Sequence, residues 1–273
     1  LSIVKILIHL NPASSGPVQG FINDLWLHLT IKKYMKSVQL LKPVLLVFLI
    51  TAGMSASMAQ MQQSREVTLK NFSEIHVSSG IELMITQGET ESAKVVADQS
   101  LIDAVTVEQS GSSVIVSWKL IKSTKKRWLN RTAQVLINYK NLNILEATDG
   151  SAVKTENMIK TGILHITVSS GANVSATVES PQLQLKTSSG ASALLKGTAA
   201  KLKLESNSGS RVNALDLVTD DANVTVSSGA DVKVNVSKVL ESTANSGGNI
   251  RYKGSPVVEN SAGSKSGNIK AIH

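Results

Sequence analysis

The sequence predicts an all-β protein built as a single-stranded parallel β-helix of about 20-residue coils, preceded by a β-rich N-terminal portion. Three observations carry that reading. Apolar and polar residues alternate with period two through 65–140. Beyond 140, a small polar residue followed by glycine recurs six times at nearly constant spacing. Aliphatic residues hold fixed offsets on both sides of those glycines, Ser242 before the last one excepted.

Residues 1–34, which include LNPASSGP, share no pattern with the rest and read as an upstream translated segment outside the fold. Met35 then opens a signal peptide at 35–59. Lys36 and Lys42 form its basic start, 44–50 its apolar core, and Ser57-Met58-Ala59 a small-x-small cleavage site before Gln60. The apolar run is much shorter than the roughly 20 residues that span a bilayer, so no membrane anchor is expected after cleavage. The expected destination of an exported chain is the periplasm, the cell surface or the medium.

Charge and cysteine usage narrow the function classes. The whole chain carries +8, but 60–273 holds 23 Lys and Arg against 19 Asp and Glu, a net of +4. That excess gives no case for specific nucleic-acid binding. With no cysteine, disulfides, thiolate metal sites, a thiol nucleophile and a lipidated cysteine are excluded. Aromatics are 3% of the chain, so an aliphatic core must hold it.

The N-terminal β-rich part, 60–140, contains half-buried strands at VTL (67–69), EIHV (74–77), IELMI (81–85), KVVA (94–97), VIVSW (114–118) and QVLI (134–137). Turn chemistry separates them: SSG at 78–80, QGE at 87–89 and QSGSS at 109–113. LIDAV at 101–105 reads as one short helical turn.

The repeats occupy 141–273. Gly150, Gly171, Gly190, Gly209, Gly229 and Gly247 are separated by 21, 19, 19, 20 and 18 residues. Five positions before each stands Leu145, Ile166, Leu185, Leu204, Val224 or Ser242; three positions after stands Val153, Val174, Ala193, Val212, Val232 or Ile250. One such coil cannot bury its apolar face alone, whereas stacked coils bury a continuous column. Outward positions such as Lys186, Lys203 and Lys233 are expected to tolerate change. Tandem hairpins are the competing arrangement, but each glycine is followed directly by another alternating strand, which favours a chain that bends and continues.

Several segments in order resemble a bacterial family of secreted proteins described as putative auto-transporter adhesins with a head GIN domain, a domain of unknown function. They are SSGIELMITQGE (78–89), VVADQSLIDAVTVEQSGSSVIV (95–116), YKNLNILEATDGSAV (139–153), the SSG coils, and NSGGNIRYKGSPVVENSAGSKSGNIK (245–270). The resemblance implies an all-β fold with a right-handed β-helix and an export signal. It supplies no catalytic residues.

Chemistry sought in the residues is sparse. A glycosidase needs two carboxylates at a set separation. The best local pair, Asp220-Asp221, lies in TDDAN, which reads as a polar turn. Glu205 and Asp231 lie near no His or Arg that completes a set. The histidines at 9, 28, 76, 165 and 273 are scattered without metal-ligand spacing, and His165 alternates with Leu164 and Ile166 as a surface strand residue does. No metal or cofactor is expected. The one dense charge feature is KLIKSTKKRWLNR (119–131), where Lys122, Lys125, Lys126, Arg127, Trp128 and Arg131 form a candidate anionic-ligand surface beside Trp118. The bland alternative is a solvated loop between two strands.

The leading expectation is an exported, non-enzymatic, adhesin-like binding module at the cell envelope, with a glycan or cell-surface protein as partner. A carbohydrate-active enzyme on the same architecture and a structural envelope protein are the alternatives. End-to-end homo-oligomers are a further expectation, because a terminal coil offers an unpaired strand edge.

Overall fold

In a parallel stack each side chain sits directly above its counterpart one coil away, so a repeat with constant offsets turns into columns. The computed structural model describes residues 62–119, 132–260 and 266–272; the signal-peptide reading of 35–59 and the upstream segment lie outside the described residues. The chain runs through β1 (Gln62–Thr68), β2 (Glu74–Val77), β3 (Glu82–Gln87), β4 (Ser92–Asp98), β5 (Val105–Ser110) and β6 (Ser113–Trp118). It continues through β7 (Ala133–Tyr139), β8 (Ile144–Ala147), β9 (Ala152–Thr155), β10 (Ile159–Lys160), β11 (Ile163–Val168) and β12 (Asn173–Thr187). The series ends with β13 (Ser192–Ser206), β14 (Arg211–Val226), β15 (Asp231–Ala244), β16 (Asn249–Lys253), β17 (Val257–Asn260) and β18 (Asn268–Ala271). These strands form a β-solenoid of about six turns with coils of about 19 residues. LIDAV contains a 3-10 turn at Ile102–Ala104, and among the described residues no helix is long and apolar enough to cross a membrane.

Each coil has two legs joined at the Ser-Gly corner. On the leg before it, parallel register aligns Val114, Ile75, Leu145, Ile166, Leu185, Leu204, Val224 and Ser242. On the leg after it, Val135, Leu83, Val153, Val174, Ala193, Val212, Val232 and Ile250 align. All sixteen side chains are buried, so both offsets inferred from the glycine spacing face the core. Each large aliphatic side chain withdrawn from water contributes about 1.5–3 kcal/mol.

The corner has a geometry that glycine alone does not explain. Both members of each pair have positive φ, for example Ser170 at 52° and Gly171 at 72°. The Ala172 N–H donates to the Ser169 carbonyl across them at 3.0 Å. Positive φ at both central residues is the signature of a type I′ turn. Gly171 does not make the bend alone, for Ser170 bends as far. Left-handed backbone at a non-glycine residue costs on the order of 1 kcal/mol, least for short polar side chains, which accounts for Ser or Asp there. The legs on either side hydrogen-bond to neighbouring coils, and the corners themselves form a ladder in which the Gly171 N–H donates to the Ser189 carbonyl at 3.0 Å.

The first coils stack out of chain order. β2 lies parallel between β6 and β8, and β3 lies parallel between β7 and β9. Ser79 and Gly80, read from sequence as a turn, have φ of 64° and 74° and form another corner of the same kind. Beyond the β6–β7 coil the direction changes: β5 pairs antiparallel with β6, β4 with β7, and β1 with β4. These antiparallel strands close that end of the stack.

Polar groups interrupt the core at several positions, two of which stand out. Thr187, Ser206 and Ser210 are buried in adjacent coils beside the corners, and their hydroxyls satisfy one another at 2.8–3.1 Å. Tyr139 is fully buried, and its hydroxyl has no hydrogen-bond partner among the described residues.

Candidate functional site

Because inward positions are filled by aliphatic side chains, chemistry can sit only on the outward positions of the legs. The leg before the corner presents one face and the leg after it another.

On the first face, alternation in EIHV points Glu74 and His76 outward together, and register brings Glu146 beside His76. His76 Nδ1 lies 2.7 Å from Glu146 Oε2, and Nε2 lies 3.7 Å from Glu74 Oε2. The Ser113 hydroxyl donates to Glu74 Oε2, and the Ser112 hydroxyl donates to Oε1 at 3.2 Å. These contacts, Ser113 first, then Ser112 and His76, hold the Glu74 carboxyl below the usual carboxylate range against a smaller opposing effect of burial. This cluster was not evident in the sequence: the Glu74/His76 spacing was visible, but Glu146 is 70 residues away.

Farther along the same face, His165 is exposed and pairs with Gln184 at 2.8 Å, as its alternation predicts for a surface residue. Glu205 is held by Lys186 at 3.4 Å and Lys203 at 3.3 Å. The Asn223 amide donates to Glu241 at 2.5 Å. A groove of about 540 Å³ runs over Lys201, Lys203, Asp221, Asn223 and Glu241.

The second face carries Glu82, Met84, Lys154, Asn173, Ser175 and Leu194 along a groove of about 520 Å³. In the last coils it carries the Arg251–Asp231 ion pair.

The structure separates most of the acids considered for catalysis. Asp220-Asp221 lies inside β14 at a register irregularity, not in a turn: between Thr219 and Asp221 the neighbouring strand β15 has one extra residue, so Ser237 and Lys238 both lie opposite Asp220. Asp220 is taken up by Lys238 and Ser237, each at 3.0 Å, and its carboxyl is held below the usual range by the Lys238 hydrogen bond, then by Ser237. Glu205 and Asp231 are outward on different faces. Asp221 and Glu241 share a groove, but they lie on neighbouring strands of one sheet and on the same side of it. Among the described residues no group of three or more His, Asp or Glu side chains is placed to hold a metal ion.

The candidate anionic-ligand residues Lys122, Lys125, Lys126, Arg127, Trp128 and Arg131 lie outside the described residues. The flanking register still locates their segment in the chain path. Val116 and Val135, 19 positions apart, align with Val77 and Leu83, six apart. Thirteen more residues therefore separate the two legs of the β6–β7 coil than separate those of the β2–β3 coil. Trp118 at its start packs against the core.

The sequence profile of the family described as "Putative auto-transporter adhesin, head GIN domain" matches residues 71–256. Three solved structures share the fold, each with 78% of this chain covered. A putative adhesin from Bacteroides fragilis is 20% identical, with 98% of its chain covered and a TM-score of 0.70. A putative adhesin from Parabacteroides distasonis is 20% identical, with 98% of its chain covered and a TM-score of 0.62. A protein from the same species described as a putative lipid binding protein is 18% identical, with 97% covered and a TM-score of 0.60. No curated protein matches the chain.

Proposed function

From the premise that this chain belongs to the putative auto-transporter adhesin, head GIN domain family, we propose that it is an exported, non-enzymatic binding module with an adhesin-like role at the cell envelope. One observation carries the reading: polar outward side chains are held in register along the two faces, with partners supplied by adjacent coils. Such groups are already ordered before a ligand arrives, so binding loses less side-chain entropy. The adhesin descriptions of the family and its structural relatives support the same role. An extended glycan or a protein surface suits these long open grooves better than a small molecule, which needs an enclosed pocket.

The enzyme alternative rests on Asp221 and Glu241. Glycoside cleavage requires carboxyl groups flanking the scissile bond, and two acids on one wall do not flank it. A glycan array combined with polysaccharide digestion tests both readings. Saturable binding without turnover is the expected result; release of shorter sugars, abolished by Asp221→Asn, would overturn the non-enzymatic reading.

A further inference from the structure

We propose that the second face over the last coils is a binding strip for a linear acidic polysaccharide, laid along the solenoid axis with its carboxylates over a ladder of cations. This rests on the binding-module reading and assigns it a place and a ligand class.

The ladder follows from register. Lys233 on β15, Arg251 on β16 and Lys270 on β18 are stacked directly in one outward column, continued on β14 by Asn213. Lys253 stands beside the column and Arg211 at its flank. Asp231 is the acid among these outward positions on β15, and Arg251 engages it. Arg211, Lys233, Lys253 and Lys270 have no ion pair among the described residues, whereas Lys186 and Lys203 on the first face are both paired with Glu205.

Like charges directly opposite one another destabilise a sheet. Asp231 offsets the charge of Arg251 at the middle rung, and a repeating polyanion lying over the column meets the unpaired Lys233 and Lys270 on either side of it. Successive strands are about 4.8 Å apart, close to the length of one pyranose residue, so a chain with one carboxylate per sugar meets the cations rung by rung. Asn249 and Asn268 form an adjacent column, whose amides can both donate to and accept from ring hydroxyls.

Other polyanions fit less well. No aromatic side chain points outward on this face of β14, β15, β16 or β18, so single-stranded nucleic acid lacks a stacking platform. A flat sheet face does not enter a duplex groove. The strip also lacks the apolar surface that holds a protein in a bilayer interface.

The test uses the full chain and polygalacturonate fragments of graded length, measured by calorimetry and by retention on the immobilised polymer. Affinity should rise with length until the fragment covers the ladder, and should fall as salt is added. Lys233→Glu with Lys270→Glu should weaken binding at least about tenfold, or 1.4 kcal/mol, with circular dichroism and Tm unchanged. The milder Lys233→Gln with Lys270→Gln pair keeps the test intact if the reversal disturbs folding. The proposal is overturned if monomeric galacturonate binds as tightly as the polymer, or if folded ladder variants bind unchanged. It is equally overturned if the loss follows Lys125, Lys126 and Arg127 replacement instead, or if phosphatidylserine vesicles or single-stranded DNA bind as tightly. Binding of neutral glycans without polygalacturonate removes the strip and leaves the binding module. Absence of any glycan or protein partner removes both.

Discussion

The strands of 62–139 and the coils from 144 onward bury the same kinds of side chain but find their neighbours by different routes. In the later coils each leg stacks on the one about 19 residues behind it. In the earlier part, the coil of β2 and β3 is laid between two coils that follow it in the chain, and antiparallel strands seal the end. The difference separates two tasks. Identical coils propagate a column but cannot end it, because the last one leaves an open edge. An end requires strands that break the repeat: β4 and β5 do so by running against β7 and β6, and β1 pairs antiparallel on β4 beyond them.

The largest expected effect comes from placing a charge in the column. Leu204→Asp puts a carboxylate between Leu185 and Val224 with no partner in reach, and should cost more than about 4 kcal/mol. Val95→Asp is the counterpart in the cap, since Val95 is fully buried between β1 and β7. Urea unfolding followed by circular dichroism should show comparable losses for the two. A separate, early transition in the Val95 variant alone would mean that the cap folds independently of the stack.

Glycines offer a sharper contrast. Gly197 has φ of 108°, and a Cβ there would lie 2.0 Å from the Val178 carbonyl oxygen, whereas a Cβ on Gly171 would meet open space at φ of 72°. Gly197→Ala should therefore cost about 3 kcal/mol, combining overpacking with backbone strain. Gly171→Ala should cost about 1 kcal/mol, from the backbone alone. Equal losses in denaturant midpoint would refute the assignment of crowding to Gly197 and bending to the corner.

That pair also marks how far the sequence could be followed. The corner spacing and the offsets of Leu185 and Val174 were legible because a coil repeats its own geometry, and six copies of one pattern leave little freedom. The position of β2 between β6 and β8 was not, because no local feature of EIHV distinguishes pairing with 113–116 from pairing with a strand next in sequence. For the same reason Glu74 and His76 could be placed on one face, but Glu146 could not be placed beside them. The cation ladder was hidden too: Lys233, Arg251 and Lys270 become neighbours only once the register across β15, β16 and β18 is known.

A smaller effect, of opposite sign, is expected at the boundary of the two regions. Tyr139 ends β7, its hydroxyl is buried without a partner among the described residues, and burial raises its pKa well above the ordinary tyrosine value. Removing an unsatisfied buried hydroxyl relieves its desolvation penalty, so Tyr139→Phe should stabilise the protein by about 1 kcal/mol. A destabilised variant would show that the hydroxyl is satisfied in solution, for example by a buried water.

The smallest effect tests whether the out-of-order coil is tied to its neighbours by its polar contacts as well as its core. Glu74 on β2 accepts hydrogen bonds from Ser112 and Ser113, which precede and begin β6, and lies near His76, which in turn meets Glu146 on β8. Its folded pKa is lowered, so the unfolded chain binds the proton more readily and stability rises with pH across this range. The contribution is fully present above the unfolded glutamate value of about 4.3 and is lost as pH falls through the lower folded value. Wild type should therefore exceed Glu74→Gln in stability at neutral pH, and the two curves should converge in acid. A gap that persists below the folded pKa would assign the difference to shape at this position, and β2 would then be held between its neighbours by backbone and core alone.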